Sequence, residues 1–182
     1  MASPAPVRVT AARLAFLLYY LISASALAAT VYQQPADFIR QVFGNAQVNS
    51  DKLWLDKELR QQIHGILGHD LGVLRVRYWR LPPRTAWILE ETGKEQPITA
   101  GIVVNDGKIE LIKVLIFRET RGGEIRYPFF TDQFNGAHLG PDFTLSRRID
   151  GISGATLSVN AIVKLARLAL LFHQRCSQGQ SE

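Results

Sequence analysis

The chain has 182 residues and only one cysteine, Cys176, and this scarcity excludes several kinds of protein. A single cysteine cannot form an internal disulfide, and it cannot supply the ligands of an iron–sulfur cluster or of a cysteine-bound zinc site. His64 and His69 offer no better metal site, because a predicted helix end separates them and no further ligands are grouped nearby. We therefore expect no metal centre.

A strong charge of one sign is also missing. The formal net charge of +5 comes from 21 basic and 16 acidic residues, and the basic residues are scattered along the chain. A nucleic-acid partner would need a clustered basic surface, so none is expected. The sequence also lacks a carboxylate pair or a Ser, His and Asp order from which hydrolytic catalysis could be argued, so no catalytic residue is predicted.

A long apolar run lies near the N-terminus, over residues 14–29, and follows two arginines. The run ends in Ser-Ala-Leu-Ala, whose small residues have the spacing that a signal peptidase reads. An uninterrupted apolar stretch of about 18 residues, here 14–31, could instead just span a bilayer. Residues 1–28 are thus predicted to be either a signal peptide cleaved after Ala28 or a retained membrane anchor. Both place the rest of the chain outside the cytoplasm.

The remaining sequence carries helical patterns first and strand patterns after them. Apolar residues at helical spacing predict helices over 36–43 and 55–67, which Gly44 and Gly68 end. Residues 105–107, Asn-Asp-Gly, tolerate positive φ angles and predict a β-hairpin. Alternating, β-branched and aromatic residues predict strands over 73–79, 85–90, 98–104 and 108–117.

Residues 122–149 are rich in glycine, proline and aromatic side chains and are predicted to be loop, with only 127–131 strand-like. A final amphipathic helix is predicted over 157–175 and should pack on the sheet. Together these elements predict an α+β fold, a single domain with a mostly antiparallel central sheet flanked by helices. The predicted divisions are a leader or anchor at 1–28, a helical N-terminal segment at 29–69, a main domain at 70–176 and a polar tail at 177–182.

Residues 150–158, Asp-Gly-Ile-Ser-Gly-Ala-Thr-Leu-Ser, directly precede the final helix and carry the most informative pattern. Their glycines let the backbone approach an anion, their hydroxyls can donate hydrogen bonds, and a helix start directs free N–H groups at a phosphate. A phosphorylated cofactor is one interpretation. The other is structural, because Ser or Thr before a helix often caps it and glycine often makes a turn.

The same residues resemble, position for position, the flavin-attachment signature D-x-x-[S/T]-G-A-T-x-[S/T] of the FMN-binding domain family. That family includes the G subunit of the Rnf electron-transport complex and the C subunit of the sodium-translocating NADH:quinone reductase. In these relatives an exported flavin transferase uses FAD as donor and joins FMN, through its phosphate, to the last threonine of the motif. The resemblance implies that Thr156 accepts a covalent FMN here.

Residues 117–124 resemble the second signature of the family, in which a Glu-Thr pair precedes a glycine-containing loop near the flavin. The usual Pro-Gly-Leu-Gly after that pair is replaced by Arg-Gly-Gly-Glu. The resemblance implies that the main domain, 70–176, is an FMN-binding domain. The cofactor-binding residues that it implies are Thr156, Ser153, Gly154, Ala155, Ser158, Asp150, Glu119, Thr120, Gly122 and Gly123.

The resemblance further implies an exported electron-transfer flavoprotein, either free in the periplasm after cleavage or tethered to the inner membrane by residues 14–31. We expect an electron carrier rather than a self-contained enzyme. A flavin transferase would mature it, and a membrane redox protein would donate or accept its electrons. Two alternatives stay open: a non-redox binding or sensory module of the same fold, and a flavin reductase with non-covalent FMN.

Overall fold

A computed structural model describes residues 29–178, and the predicted leader or anchor at 1–28 and most of the polar tail lie outside the described residues. The described chain forms one sheet flanked by helices, so the predicted α+β fold is confirmed. The strands are β1 Thr30–Val31, β2 Ser50–Trp54, β3 Arg75–Leu81, β4 Arg84–Thr92, β5 Pro97–Asn105 and β6 Lys108–Phe117. The helices are α1 Pro35–Phe43, α2 Lys57–Leu67, α3 Pro128–Thr131 and α4 Thr156–Gln178, with short 3₁₀ turns at Gly123–Arg126 and Asp132–Phe134.

All neighbouring strands of the sheet are antiparallel, in the order β1-β6-β5-β4-β3-β2. Strands β2 to β5 each pair with the next strand along the chain, and β1 joins the sheet beside β6. The predicted hairpin at 105–107 is confirmed, because Asn105 pairs with Lys108 across a two-residue turn. Asp106 and Gly107 have φ angles of 48° and 72°, which is the backbone that such a turn requires.

Helices cover both faces of the sheet, and this explains why its central strands are apolar on both sides. On one face, Phe38 of α1 is fully buried against the sheet. A Cβ atom at Gly101 of β5 would lie 2.6 Å from the Phe38 ring, so the close approach of α1 depends on glycine there. On the other face, α2 and α4 pack over the sheet, and the rings of Trp87 and Phe172 lie 5.3 Å apart.

Helix α4 is the longest helix of the described chain and lies in its core. Within its segment Thr156–Ser177, an 18-residue stretch has a mean hydropathy of 1.3 and enough length to cross a membrane, yet 67% of that stretch is buried within the domain. No other helix within residues 29–178 meets the same criteria. The sheet therefore covers the apolar side of α4, as expected for the core helix of a globular domain.

Residues 127–131 are not strand-like, so that prediction is wrong. Pro128 stands at the first position of α3, where its fixed φ angle favours a helix and its missing N–H would have had no intrahelical partner. Phe130 is fully buried and packs edge-on against Phe134, with ring centroids 5.4 Å apart. The aromatic residues of this segment therefore anchor a short helix to the core rather than alternate along a strand.

The predicted helical segment 29–69 contains two edge strands in addition to its helices. In β2 only Leu53 is partly buried, and an edge strand with so little burial shows no apolar alternation in sequence. Helix α2 begins at Lys57 rather than at residue 55, because the Asp56 side chain accepts a hydrogen bond from the Leu59 N–H over 2.8 Å. Asp56 thereby caps the helix start.

Candidate functional site

The residues before α4 fold into a tight turn that ends at Thr156. Gly154 has a φ angle of 79°, in the left-handed region that glycine adopts without strain. The Ala155 N–H donates to the Ile152 carbonyl over 3.0 Å, and the Ala155 carbonyl accepts from the Val159 N–H over 2.9 Å. Ala155 therefore stands just before the first helical residue, and its methyl group cannot accept a hydrogen bond from the helix start.

Thr156 is the first residue of α4, and it is exposed. A capping threonine would stand one position earlier, so the capping interpretation does not describe Thr156. The N–H groups of residues 156–158 belong to the first turn and have no acceptor within the helix. These groups and the positive end of the helix dipole make the turn suited to an anion.

Glu119 follows the end of β6 and turns back toward the loop between β4 and β5. Its Oε1 accepts hydrogen bonds from the backbone N–H groups of Glu95 and Gln96, over 2.7 and 3.0 Å, and from that of Lys94. Burial alone would raise the pKa of Glu119, but these three donors hold it below its ordinary value. The carboxylate is therefore ionised at neutral pH, and its charge is satisfied within the protein.

Gly93 lets the carboxylate reach this loop. A Cβ atom at position 93 would lie 2.8 Å from Glu119 Oε1 and 3.1 Å from Ile98 Cδ1. A larger residue would displace the carboxylate from the three backbone N–H groups. The glutamate of the Glu-Thr pair thus determines the shape of the turn at 93–96.

Gly122 brings the two sequence motifs into contact. It is buried, its φ angle is 87°, and a Cβ atom there would lie 2.8 Å from Ser158 Oγ and 3.2 Å from Ala155 Cβ. Glycine at 122 therefore lets the loop after β6 pack against the first turn of α4. Residues 117–124 and 150–158 are distant in sequence and meet at this point.

A cleft of about 600 Å³ lies where the motifs meet. Lys94 and Arg121 are exposed cations of its wall, and the Lys94 Nζ lies 3.1 Å from Glu95 Oε1, whereas the charge of Glu119 is bound to backbone N–H groups. The cleft therefore favours an anionic ligand, and its volume lies in the range of cofactor sites. Its lining residues are Lys94, Glu119, Thr120, Arg121, Gly154, Ala155, Thr156, Leu157 and Ser158.

Residues 93–171 match the family model described as the FMN-binding domain. This segment of the chain resembles the FMN-binding domain family. The matched segment begins at Gly93, next to the Glu119 carboxylate, and it includes every residue that lines the cleft. No curated protein and no solved structure matches the chain. FMN is therefore the candidate ligand of the cleft.

The chemistry of the cleft fits FMN. The first turn of α4, Lys94 and Arg121 favour its phosphate, whereas Leu157 offers the apolar contact and Thr120 the polar contact that a flavin ring system needs. The buried aromatic rings of the domain are not part of this cleft, because they pack in the core. Trp87 is one example: it is fully buried and stacks on the Tyr78 ring at 4.8 Å.

Most of the predicted cofactor-binding residues come together in this cleft. Those that line it are Glu119, Thr120, Gly154, Ala155, Thr156 and Ser158. The predicted residues that do not line it are Asp150, Ser153, Gly122 and Gly123. Asp150 is exposed, and its backbone N–H donates to Gln133 Oε1 over 2.7 Å, which holds the motif loop against the turn after α3.

Three residues of the cleft are not among the predicted ones, and two of them could have been found from the sequence. Arg121 directly follows the Glu-Thr pair, and Leu157 directly follows the proposed acceptor, so proximity in sequence could have included both. Lys94 carried no such signal. It lies in a turn between two strands, and only the folded sheet brings that turn to Glu119.

Proposed function

We propose that the protein is an exported electron-transfer flavoprotein whose FMN is joined, through its phosphate, to the hydroxyl of Thr156. One observation carries this proposal: the exposed Thr156 begins α4 within a cleft to which both flavin-family motifs contribute. A hydroxyl at this place is accessible to a modifying enzyme from solvent. When bound, FMN supplies reversible uptake and release of electrons.

Attachment requires a flavin transferase and a donor of FMN. In the proposed step the bond between Thr156 Oγ1 and phosphorus forms and the pyrophosphate bond of FAD breaks, so that AMP leaves and the hydroxyl proton is released. The product is a phosphodiester that keeps one negative charge. The N–H groups at the start of α4 and the side chains of Lys94 and Arg121 would offset this charge.

The proposed role is that of a carrier rather than a self-contained enzyme. The residues of the cleft bind and orient a cofactor, and the sequence carries no catalytic set that would act on a separate substrate. A membrane redox protein is the proposed donor or acceptor of electrons. Residues 1–31 support export, because two arginines precede an apolar run that ends in small residues.

Co-expression of the full chain with an exported flavin transferase tests this proposal. Wild type, Thr156→Ala and Thr120→Ala are precipitated with acid and weighed by intact-mass spectrometry. Thr120→Ala is the matched control, because it removes one hydroxyl from the same cleft. We expect wild type and Thr120→Ala to stay yellow and to gain the mass of FMN less one water. Thr156→Ala should be colourless and carry no added mass.

Other results of the same experiment would favour the alternatives. Flavin released from the wild type into the acid supernatant indicates non-covalent FMN, as in a flavin reductase. Flavin in neither fraction indicates a non-redox binding or sensory module. Colour retained by precipitated Thr156→Ala would contradict the assignment of the acceptor.

A further inference from the structure

The chain enters the sheet beside the cleft. Thr30, the first residue of β1, pairs with Phe117, the last residue of β6, and Glu119 of the cleft follows two residues later. The apolar run at 14–29 ends directly before Thr30. The run and β1 are consecutive in sequence, and an extended chain reaches at most about 3.6 Å per residue. A membrane that the run enters must therefore lie close to this end of the sheet.

Next to β1, four side chains form a continuous group that we call the aromatic surface: Tyr32, Arg126, Tyr127 and Phe129. The Arg126 guanidinium carbon lies 4.7 Å from the centroid of the Tyr32 ring and 4.5 Å from that of the Tyr127 ring. The rings of Tyr127 and Phe129 are stacked, with centroids 6.2 Å apart. Phe129 is 61% exposed and Tyr127 is 42% exposed, so the group faces outward.

The composition of the aromatic surface is typical of the boundary between lipid and water. Tyrosine and arginine each have a long apolar part and a polar end, and tyrosine is enriched where membrane proteins meet the headgroup layer. Arg126 adds a positive charge that complements lipid phosphates. The fully buried Phe130 anchors α3 in the core, so its neighbour Phe129 is held outward.

We propose that the aromatic surface rests in the headgroup layer of the membrane that residues 14–29 enter. This inference rests on the proposed export and on residues 1–28 being retained as a membrane anchor, one of the two forms expected from the sequence. It orients the sheet with the Phe117 end of β6 toward the bilayer and the Lys108 end away from it. The cleft then lies beside the membrane surface, where a membrane redox partner can reach the cofactor.

Fluorescence quenching by labelled lipids tests the proposed orientation. The full chain, with its N-terminal run intact and without flavin, is reconstituted into vesicles of phosphatidylcholine and phosphatidylglycerol that carry a spin-labelled headgroup. A thiol-reactive fluorophore is attached at Phe129→Cys and, as the matched control, at Lys108→Cys. Residue 108 is exposed and lies roughly 30 Å from Phe117 at about 3.4 Å per residue of strand. Cys176 is buried, and the unsubstituted chain supplies the blank.

We expect the spin-labelled headgroups to quench the fluorophore at 129 several-fold more strongly than the one at 108, and a water-soluble quencher to show the reverse order. A label at Tyr127→Cys should behave like the one at 129, which guards against an effect of losing the Phe129 ring. Equal quenching at 129 and 108 in a chain that floats with the vesicles overturns the proposed orientation but is consistent with a retained membrane anchor.

A chain that does not float with the vesicles overturns both the orientation and the retained anchor. Because no flavin is present, neither result depends on Thr156.

Discussion

Gly122 packs against Ser158 so closely that a Cβ atom at position 122 would lie 2.8 Å from the Ser158 hydroxyl oxygen. This contact joins the loop after β6 to the helix start that carries Thr156. Gly122→Ala should therefore strain a backbone with a φ angle of 87° and displace the first turn of α4. We expect a loss of about 1 to 3 kcal/mol in the free energy of unfolding, and less flavin attached per chain.

Gly151→Ala is the control for this prediction, since a Cβ atom at position 151 would meet nothing within 4 Å. Chemical denaturation gives the stability of both variants, and absorbance of the flavin against protein mass gives the attachment. Equal stability of the two alanine variants would contradict the close contact at Gly122.

Glu119 should act as a structural acceptor for the turn at 93–96. Glu119→Ala removes the acceptor of three backbone N–H groups and should cost about 1 to 3 kcal/mol of stability, whereas Glu119→Gln keeps an oxygen and should cost less. Urea denaturation at neutral pH measures both losses. A stability of Glu119→Ala equal to that of wild type would show that the turn does not need the carboxylate.

The same carboxylate predicts a pH dependence. Because the pKa of Glu119 is lowered in the folded protein, its contribution to stability is complete above the ordinary pKa near 4.5 and is lost as the pH falls through the lowered value. Wild type should therefore lose more stability than Glu119→Gln when the pH is lowered from about 6 to about 3. Parallel pH profiles for the two proteins would contradict this prediction.

Thr156→Ala should leave the stability of the flavin-free protein within about 0.5 kcal/mol of wild type, since Thr156 is exposed and follows the capping position. Asp56→Ala is the comparison, because Asp56 caps α2 and also pairs with Arg175, and its loss should cost at least about 1 kcal/mol. Thermal denaturation of both variants separates the two roles. A cost for Thr156→Ala as large as that for Asp56→Ala would restore the capping interpretation.

His173 should make the domain less stable in acid. It is buried, its Nε2 accepts a hydrogen bond from the Gly107 N–H over 3.2 Å, and its Nδ1 lies 2.8 Å from Thr85 Oγ1. Burial lowers the pKa of His173, although the charge of Asp106 opposes this shift. The unfolded chain therefore binds a proton first as the pH falls below the ordinary value near 6.5, and stability decreases from there toward the lowered pKa.

Urea denaturation at about pH 8 and about pH 5 tests this prediction, and His173→Gln should lose less stability between the two than wild type does. The pKa of His69 is raised, chiefly by its hydrogen bond to the Asp70 carbonyl, so His69 contributes with the opposite sign. That contribution is present in both proteins and cancels in the comparison. An identical decrease in wild type and His173→Gln would contradict the role of His173.

Local patterns predict the regular parts of this fold well. The bounds of β6 agree with the sequence pattern at both ends, because Asn-Asp-Gly precedes a largely apolar run that ends at Phe117. Helix α4 is predicted to within a few residues, since its apolar residues recur at helical spacing over many turns. The edge strand β2 and the short helix α3 are not predicted, because each depends on contacts with distant segments rather than on its own periodicity.

The candidate site shows the same division between local and distant information. Thr156 and its neighbours could be selected from one motif, because consecutive residues at a helix start share one surface. The roles of Glu119 and Gly122 could not be predicted from one motif, because Glu119 contacts the turn at 93–96 and Gly122 contacts Ser158. The pairing of β5 with β6 brings Glu119 to that turn, and the packing of α4 on the sheet brings Ser158 to Gly122.

The position of the flavin on the chain tests the central claim most directly. Trypsin should release residues 149–164 as one peptide, and this peptide contains three hydroxyl residues, Ser153, Thr156 and Ser158. After co-expression with a flavin transferase, tandem mass spectrometry of this peptide should find FMN, less one water, on Thr156 alone. A bare peptide, or flavin on either serine, would contradict the account.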